Sequence, residues 1–342
     1  MKIIQCGNTE SRAWNIFLDS QACSSFYHLF GWKTIVESCL GHTTYFLAAT
    51  EGDTFLGVLP LVYINSRLFG KILCSMPFLN FGGICAVDAG IEAALLDEAR
   101  HLVDHKKMAY LELRNTQKLH EPLPTSQQKV SMTLTLDSDP DSIWCGFKSK
   151  QRTTIRRAYK NNLHVKNGGE ELLDYFYTIL AKSWRALGTP IYRRNFFQNI
   201  LKTFPDSTRI FIVYHEDKPI AAAFNGYFRD VIEGMWLGVD YSYRSLQPNY
   251  ILYWEMIKHG CENGYKHFHL GRSSIDSGGE QFKKKWNAET TQLYWQYYLG
   301  SVKAIPQLNV HNSKYQLAIM LWKKLPLHLT IYLGPQIARS IP

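Results

Sequence analysis

The sequence predicts a mixed α/β (α+β) fold built twice over: two domains, each a mixed sheet flanked by helices. Three observations lead there. At 342 residues the chain exceeds the size at which a single hydrophobic core usually stops growing. Its residues are 46% hydrophobic and 20% charged, enough apolar material for large cores and unlike a disordered chain. One order of elements, strand–strand–strand–helix–strand, occurs in both halves.

In the first half Tyr45–Ala49 and Thr54–Ile64 are apolar runs around the polar turn Glu51-Gly52-Asp53, a hairpin signal. Lys71–Cys74 is a third strand, Ile91–Lys106 a helix and Ala109–Leu113 a closing strand. The second half repeats the order. Ile210–Tyr214 and Pro219–Phe228 flank the turn Glu216-Asp217-Lys218, followed by strand Val231–Val239, helix Asn249–Glu262 and strand Lys266–Leu270. A helix between the last two strands permits parallel pairing through a right-handed crossover. The hairpins break the strict strand–helix alternation of one doubly wound sheet. The junction is expected at Pro122–Pro140, where Asp139-Pro140-Asp141 reads as a helix N-cap with proline at the first helical position. The expected divisions are residues 1–140, 141–300 and a helical tail, 301–342.

Several function classes are set aside. No apolar run approaches the roughly 18 residues of a membrane-spanning helix, and the N-terminus lacks the apolar stretch of a secretory signal, so a cytoplasmic location is expected. The seven cysteines are widely spaced without a C-x-x-C and read as buried, reduced thiols rather than a disulfide framework. No metal site is expected: the pairs His101/His105 and His267/His269 each lack a third ligand nearby. Covalent catalysis is not favoured, since no G-x-S-x-G elbow occurs.

Charge points to the second half. The net charge is +9, divided as −3 over residues 1–140 and +12 over 141–342. A helix is expected from about Asp141 to Asn162, with Trp144, Phe147, Ile155, Ala158 and Tyr159 on its apolar face. Lys148, Arg152, Arg156 and Lys160 recur every four residues as a basic stripe, and residues 148–160 hold six cations and no acid. Such a stripe suits an anionic ligand; the plain alternative is a solvated face paired with acids elsewhere. The run Leu270–Trp286 follows the last strand, beyond whose C-terminal end an open α/β sheet binds ligands. It is rich in glycine and serine and ends in Lys283-Lys284-Lys285, yet contains neither a Walker A nor a dinucleotide fingerprint. The segment Asp240–Asn249 precedes a helix N-terminus and includes Arg244. The tail Tyr315–Leu333 is apolar around Lys323-Lys324 and suits docking on the protein's own core or at a membrane interface.

The order of elements resembles the second half of the GNAT acetyltransferase fold, and two such units in one chain resemble the Fem peptidyltransferases, which add amino acids from aminoacyl-tRNA to peptidoglycan precursor peptides. Lys148–Ala158 (KSKQRTTIRRA) is similar to the K-x-R-x-x-I/V-R-x-A helix of Fem-like proteins, and Phe282–Trp286 (FKKKW) to their F-K-x-x-F/W motif. Leu187–Pro190, Leu270–Trp286 and Trp322–Pro326 resemble the Fem-type branch associated with exosortase and exopolysaccharide loci. The resemblance implies tandem GNAT-like (acyl-CoA N-acyltransferase-like) domains and an N-acyltransferase acting on an amine of a cell-envelope precursor, a peptidoglycan peptide or an exopolysaccharide-related molecule. No tightly bound cofactor is implied; the donor is aminoacyl-tRNA or acyl-CoA. Arg244–Asn249 lacks the glycines of an acyl-CoA pyrophosphate loop, which counts against coenzyme A in the second domain and is compatible with an aminoacyl-tRNA donor. Lys283 is the expected cation at the developing oxyanion, with Asp276 or Glu280 taking the amine proton. Lys148, Arg152, Arg156, Arg244, Arg272 and Phe282 are expected to hold substrate, with Asn80, Gly82 and Gly83 of the loop Pro77–Gly83 in the first domain. Partners are then an anionic acceptor, charged tRNA and, through the tail, the inner face of the cytoplasmic membrane. A CoA-dependent N-acetyltransferase and a non-catalytic binder of an anionic glycan or lipid precursor are the alternatives.

Overall fold

A computed structural model describes residues 1–66, 70–305 and 313–341, with side chains in the tail from residue 316. In chain order the first unit contains β1 (Lys2–Gln5), α1 (Ser11–Ser20), α2 (Gly31–Ile35), β2 (Thr43–Glu51), β3 (Thr54–Ser66), β4 (Gly70–Ser75), β5 (Cys85–Ala86), α3 (Ala89–His105), β6 (Tyr110–Asn115) and β7 (Thr125–Ser126). There follow β8 (Lys129–Thr135), α4 (Pro140–Gly146), α5 (Ser149–Lys160), β9 (Leu163–Gly168), α6 (Leu173–Leu187), α7 (Arg194–Thr203), β10 (Thr208–His215), β11 (Lys218–Phe228) and β12 (Val231–Val239). The chain continues with α8 (Pro248–Glu262), β13 (His267–His269), β14 (Ser273–Ser274), α9 (Gly278–Lys284), β15 (Glu289–Gln292), β16 (Tyr294–Leu299), α10 (Ser313–Lys324) and α11 (Leu327–Ala338).

Among the described residues, two mixed eight-stranded sheets form. One has the order β1-β2-β3-β4-β6-β16-β7 with β5 on β3, the other β14-β8-β13-β12-β11-β10-β9 with β15 on β8. Each contains a parallel pair, β4 with β6 and β12 with β13, and in each the helix between them, α3 or α8, is the crossover anticipated from the repeat. In the first unit Ile91, Leu95, Leu96, Ala99 and Val103 of α3 pack with Leu59, Leu61, Leu73, Leu111 and Leu113 of the sheet. In the second, Ile251, Leu252 and Ile257 of α8 pack with Ile155, Ile232 and Phe268.

The units divide as Met1–Val130, Thr291–Gln307 and Arg339–Pro342 against Ser131–Thr290 and Leu308–Ala338. The first boundary thus falls ten residues before the expected one. β16 returns to the first sheet, between β6 and β7, because its register on Tyr110–Asn115 completes that sheet. The tail belongs to the second unit: Arg185 Nη1 donates to the Leu325 carbonyl (3.2 Å), and Trp322 and Thr330 are buried. Residues 306–312 of the expected tail lie outside the described residues.

Two further expectations change. The helix expected over Asp141–Asn162 is two, broken at Phe147-Lys148, where extended backbone lets Phe147 insert between Trp254 and Trp286 (ring centroids 6.0 and 5.4 Å). The cysteines are not all buried thiols either. Cys23 and Cys85 form a disulfide, with Cα atoms 5.6 Å apart, and Cys145 is exposed. The fold brings together residues 62 positions apart, which spacing in the sequence does not reveal.

Candidate active site

The loop after β13 and the short helix α9 put the three lysines in three environments. Lys283 is half-buried, and its Nζ donates to the carbonyls of Gly271 (2.7 Å) and Arg272 (3.0 Å). Burial, with the neighbouring Arg272 guanidinium, pushes its ammonium down to about 7. Lys284 turns outward to Glu280 (2.7 Å), and Lys285 reaches the Tyr250 hydroxyl (3.5 Å). An ammonium has three donors, so two bonds to carbonyls leave Lys283 one N–H for an incoming anion. Phe282 and Trp286 lie on one side of this segment, against Tyr250 and Tyr253.

Glu280 is buried and occupied. One oxygen accepts from the Asp276 backbone N–H (2.6 Å) and the other pairs with Lys284, while its own N–H is capped by Ser277 Oγ (3.2 Å). The Lys284 contact holds its carboxyl below the usual range, so it is a poor proton acceptor; its visible work is closing the turn. Asp276 is exposed, at the left-handed corner of that turn (φ 60°).

The basic stripe joins the same neighbourhood. Lys148 is the N-cap residue of α5, which carries Arg152, Arg156 and Lys160. Arg152 Nη1 donates to the Cys145 carbonyl (3.0 Å), and Arg156 lies over the Trp144 ring (5.3 Å). Trp144 contacts Trp254, Trp254 contacts Phe147, Phe147 contacts Trp286, and Trp286 contacts Phe282. An aromatic cluster therefore connects the stripe to the Lys283 segment. Among the described residues no carboxylate pairs with any of the six cations between 148 and 160. The double variant Arg152→Ala/Arg156→Ala should weaken binding of a polyanion such as tRNA at least tenfold and flatten its salt dependence. Its melting temperature should move by only a few degrees. Unchanged affinity, or a large loss of melting temperature, would make the stripe structural.

At the other end of α8 the backbone is not a phosphate cradle. Tyr241–Leu246 forms a 3₁₀ turn capped by Asp240, and exposed Arg244 lies on it. Gln247 is left-handed (φ 63°), buried Pro248 has no N–H to offer, and Asn249 Oδ1 is buried without a donor. An unsatisfied acceptor and a missing donor oppose an anion there.

The loop Pro77–Gly83 belongs to the first unit and is held within it. Asn80 Nδ2 donates to the Tyr27 hydroxyl (2.6 Å), Gly82 N–H to the Arg114 carbonyl (3.1 Å), and buried His28 Nε2 to the Gly83 carbonyl (3.1 Å). Burial pushes the His28 ring down to about 4, so it is neutral. A Cβ on Gly83 would stand 1.7 Å from Asn115 Oδ1, which explains glycine there. Behind the loop Arg114 is fully buried, donating to Glu112 (2.8 Å) and to the carbonyls of Pro77 and Leu79, and stacking on Trp295 (4.3 Å).

Residues 149–284 match the family model for an acetyltransferase (GNAT) domain, a span from the start of α5 to the end of α9. The protein is an acyltransferase with a GNAT domain. No curated protein matches its sequence. The fold is similar to the crystal structure of FemX, with TM-score 0.67 and 14% identity over 88% of this chain and 98% of that one. It is similar to a tandem GNAT protein from the clavulanic acid biosynthesis pathway, with TM-score 0.54 and 12% identity over 88% and 99% of the chains. It is also similar to L-PGS from Bacillus licheniformis, with TM-score 0.54 and 13% identity over 94% and 98%. The architecture is thus the tandem GNAT-like one implied by the two repeats.

The GNAT domain holds Lys283, Arg272, Phe282 and the α5 stripe in one unit. From the sequence, His267 and His269 read as surface or packing histidines rather than metal ligands. In the GNAT domain Glu233 of β12 accepts from His269 Nδ1 (2.9 Å), a partner 36 residues away that no local pattern signals. Among the described residues, no group of three or more His, Cys, Asp or Glu is arranged to hold a metal ion.

Proposed function

We propose that this acyltransferase moves an aminoacyl group from charged tRNA to an amine of a cell-envelope precursor, a peptidoglycan peptide or an exopolysaccharide-related acceptor. The observation that carries this reading is the acid-free basic stripe of α5, tied by aromatic packing to the segment of Lys283. Phosphate-rich substrates suit that stripe, and Arg152 and Arg156 would bind them. The reaction needs a neutral amine, an activated carbonyl and a donor for the oxyanion, which the free N–H of Lys283 supplies. The likeness to FemX and the motifs in Lys148–Ala158 and Phe282–Trp286 support the Fem-like reading.

A GNAT domain implies an acyl-CoA donor, which would bring an activated thioester carbonyl. The residues at the start of α8 do not fit its pyrophosphate, for the reasons of Pro248 and Asn249 given above, so the tRNA ester is the proposed donor. The tail supports a peripheral membrane contact: Leu321 and Tyr332 are 55% and 79% exposed, and Lys323 and Lys324 lie between them. On this reading the reaction takes place at the inner face of the cytoplasmic membrane.

Calorimetry should show no stoichiometric acetyl-CoA complex, whereas tRNA charged with labelled amino acid should transfer label to a muramyl pentapeptide or to an exopolysaccharide precursor. A one-to-one micromolar acetyl-CoA complex lost in Arg244→Ala would overturn the donor assignment. Binding of precursor without any change in its mass would make the protein a carrier instead.

A further inference from the structure

The first unit carries a cavity of about 190 Å³ that the acyl-transfer reading leaves without a role. Cys23, His28, Phe81 and Gly83 line it, with exposed Lys118 and His120 on its solvent side. A water molecule takes about 30 Å³, so the space admits the thiol end of a small reductant. Cys23 is bonded to Cys85, and the two sulfurs differ in access. Cys85 is fully buried and fixed in β5, where it pairs with Val58 of β3. Cys23 is half-buried and stands on the cavity wall. One end of the bond is open to a reagent and the other is shut inside the sheet.

The bond fastens two segments that hydrogen bonds also join. His28, five residues past Cys23, donates from Nε2 to the carbonyl of Gly83 (3.1 Å), two residues before Cys85. Asn80 Nδ2 donates to the Tyr27 hydroxyl (2.6 Å). The turn that holds Tyr27 and His28 is anchored independently: the Trp14 indole N–H donates to the His28 carbonyl (2.8 Å) and that of Trp32 to the Phe26 carbonyl (2.9 Å). Two thiols in non-bonded contact need more room than a bonded pair. Cys85 cannot give that room from within the sheet, so Cys23 moves, and the cavity in front of it takes the displaced sulfur. Phe81 and Gly83 share this cavity, so opening the bond reaches the loop Pro77–Gly83 and leaves it to its hydrogen bonds alone.

We propose that Cys23–Cys85 is a thiol–disulfide exchange site, opened by a small intracellular thiol that enters the cavity, and that its state sets the mobility of the loop Pro77–Gly83. From the functional reading above the inference takes one point. A chain that uses charged tRNA works in a reducing compartment, where disulfides are rare and those that occur mostly form and break as redox sensors. The exchange has two steps. A thiolate attacks Cys23 Sγ, the bond to Cys85 breaks, and the electron pair leaves on Cys85 Sγ, which takes a proton. A second thiolate attacks the reductant's sulfur in the mixed disulfide, and Cys23 leaves as a thiolate and is protonated. Two thiols are oxidised to one disulfide, and the Cys23–Cys85 pair gains two electrons and two protons.

The test equilibrates the folded full chain in mixtures of reduced and oxidised glutathione, quenches in acid, unfolds, alkylates and reads each cysteine by peptide mass spectrometry. The five free cysteines, Cys6, Cys39, Cys74, Cys145 and Cys261, are the standard and label at every ratio. Cys23 and Cys85 should pass together from unlabelled to labelled as reduced glutathione rises, and return when the ratio is reversed. Hydrogen exchange should be at least about threefold faster in the reduced form across Ala22–Ser24 and Pro77–Gly83, and equal in the second unit. The wild type supplies both forms, so the result does not hang on a variant; Cys23→Ser should show the reduced pattern at every ratio. A pair that stays bonded in reduced glutathione until the chain unfolds is a structural staple, and one that labels fully in oxidised glutathione is no disulfide; either overturns the proposal. Equal exchange over Pro77–Gly83 in the two forms, or a folded Cys23→Ser with the oxidised pattern, overturns it as well. Acyl transfer does not enter these measurements, so failure of the functional reading shows separately, as the absence of labelled product.

Discussion

Lys283→Met lowers turnover about a hundredfold, near 3 kcal/mol, while acceptor affinity and fold survive; steady-state kinetics and a melting curve check this. The argument is the different fate of three adjacent lysines. Lys284 and Lys285 are exposed; Lys284 pairs with the buried Glu280 carboxylate and Lys285 reaches the Tyr250 phenol, and neither donates to the carbonyls that hold Lys283. Lys284→Met and Lys285→Met should therefore each cost less than about fivefold. Lys283 alone is turned inward to two backbone carbonyls. Three equal, small effects would reduce the run to a solvated charge cluster. The same residue carries a pH signature. Its folded value near 7 lies below its ordinary 10.5, so between those limits the unfolded chain holds the extra proton and stability rises with pH. Below about pH 7 the cost of the buried charge is present in full. Denaturation of wild type against Lys283→Met should show this slope in wild type only.

Arg114→Met destabilises the first unit by about 3–5 kcal/mol and lowers its melting temperature by roughly 10 °C. Arg114 and Glu112 are both buried, 2.8 Å apart. The Glu112 oxygens also take bonds from Cys74 Sγ (3.3 Å) and Tyr297 Oη (3.0 Å), so removing Arg114 strands a carboxylate inside the sheet. It also frees the Pro77 and Leu79 carbonyls that hold the loop Pro77–Gly83. Because the large term is the stranded charge, Glu112→Gln with Arg114→Met should cost less than the sum of the single variants. A loss below 1 kcal/mol in Arg114→Met, measured by urea denaturation, would show that water reaches the pair.

Much of the architecture was legible because its signals are local. The runs Thr54–Ile64 and Val231–Val239 became β3 and β12, and the helix expected over Ile91–Lys106 became α3, Ala89–His105. Alternation, helical periodicity and polar turns act over a few residues and survive without tertiary information. The four-residue spacing of Lys148, Arg152 and Arg156 likewise gave the stripe on α5, although the helix was drawn too long: burial of Phe147 among tryptophans outweighs a continuous backbone at Gly146.

The remainder belongs to packing. β16 pairs with β6 across about 180 residues, and Cys23 meets Cys85 across 62, choices made by all the strands together. His267 and His269 were correctly placed on one strand, but the carboxylate that pairs with His269 comes from β12. By itself the sequence determined two mixed α/β units, a basic second half and a lysine-bearing segment after the last crossover strand. Only the tertiary structure decided which charges lose their water: Lys283 but not Lys284, Glu233 with one oxygen unpaired, and Arg114 within a closed network. Desolvation depends on everything that surrounds a group, and those surroundings arrive from distant parts of the chain.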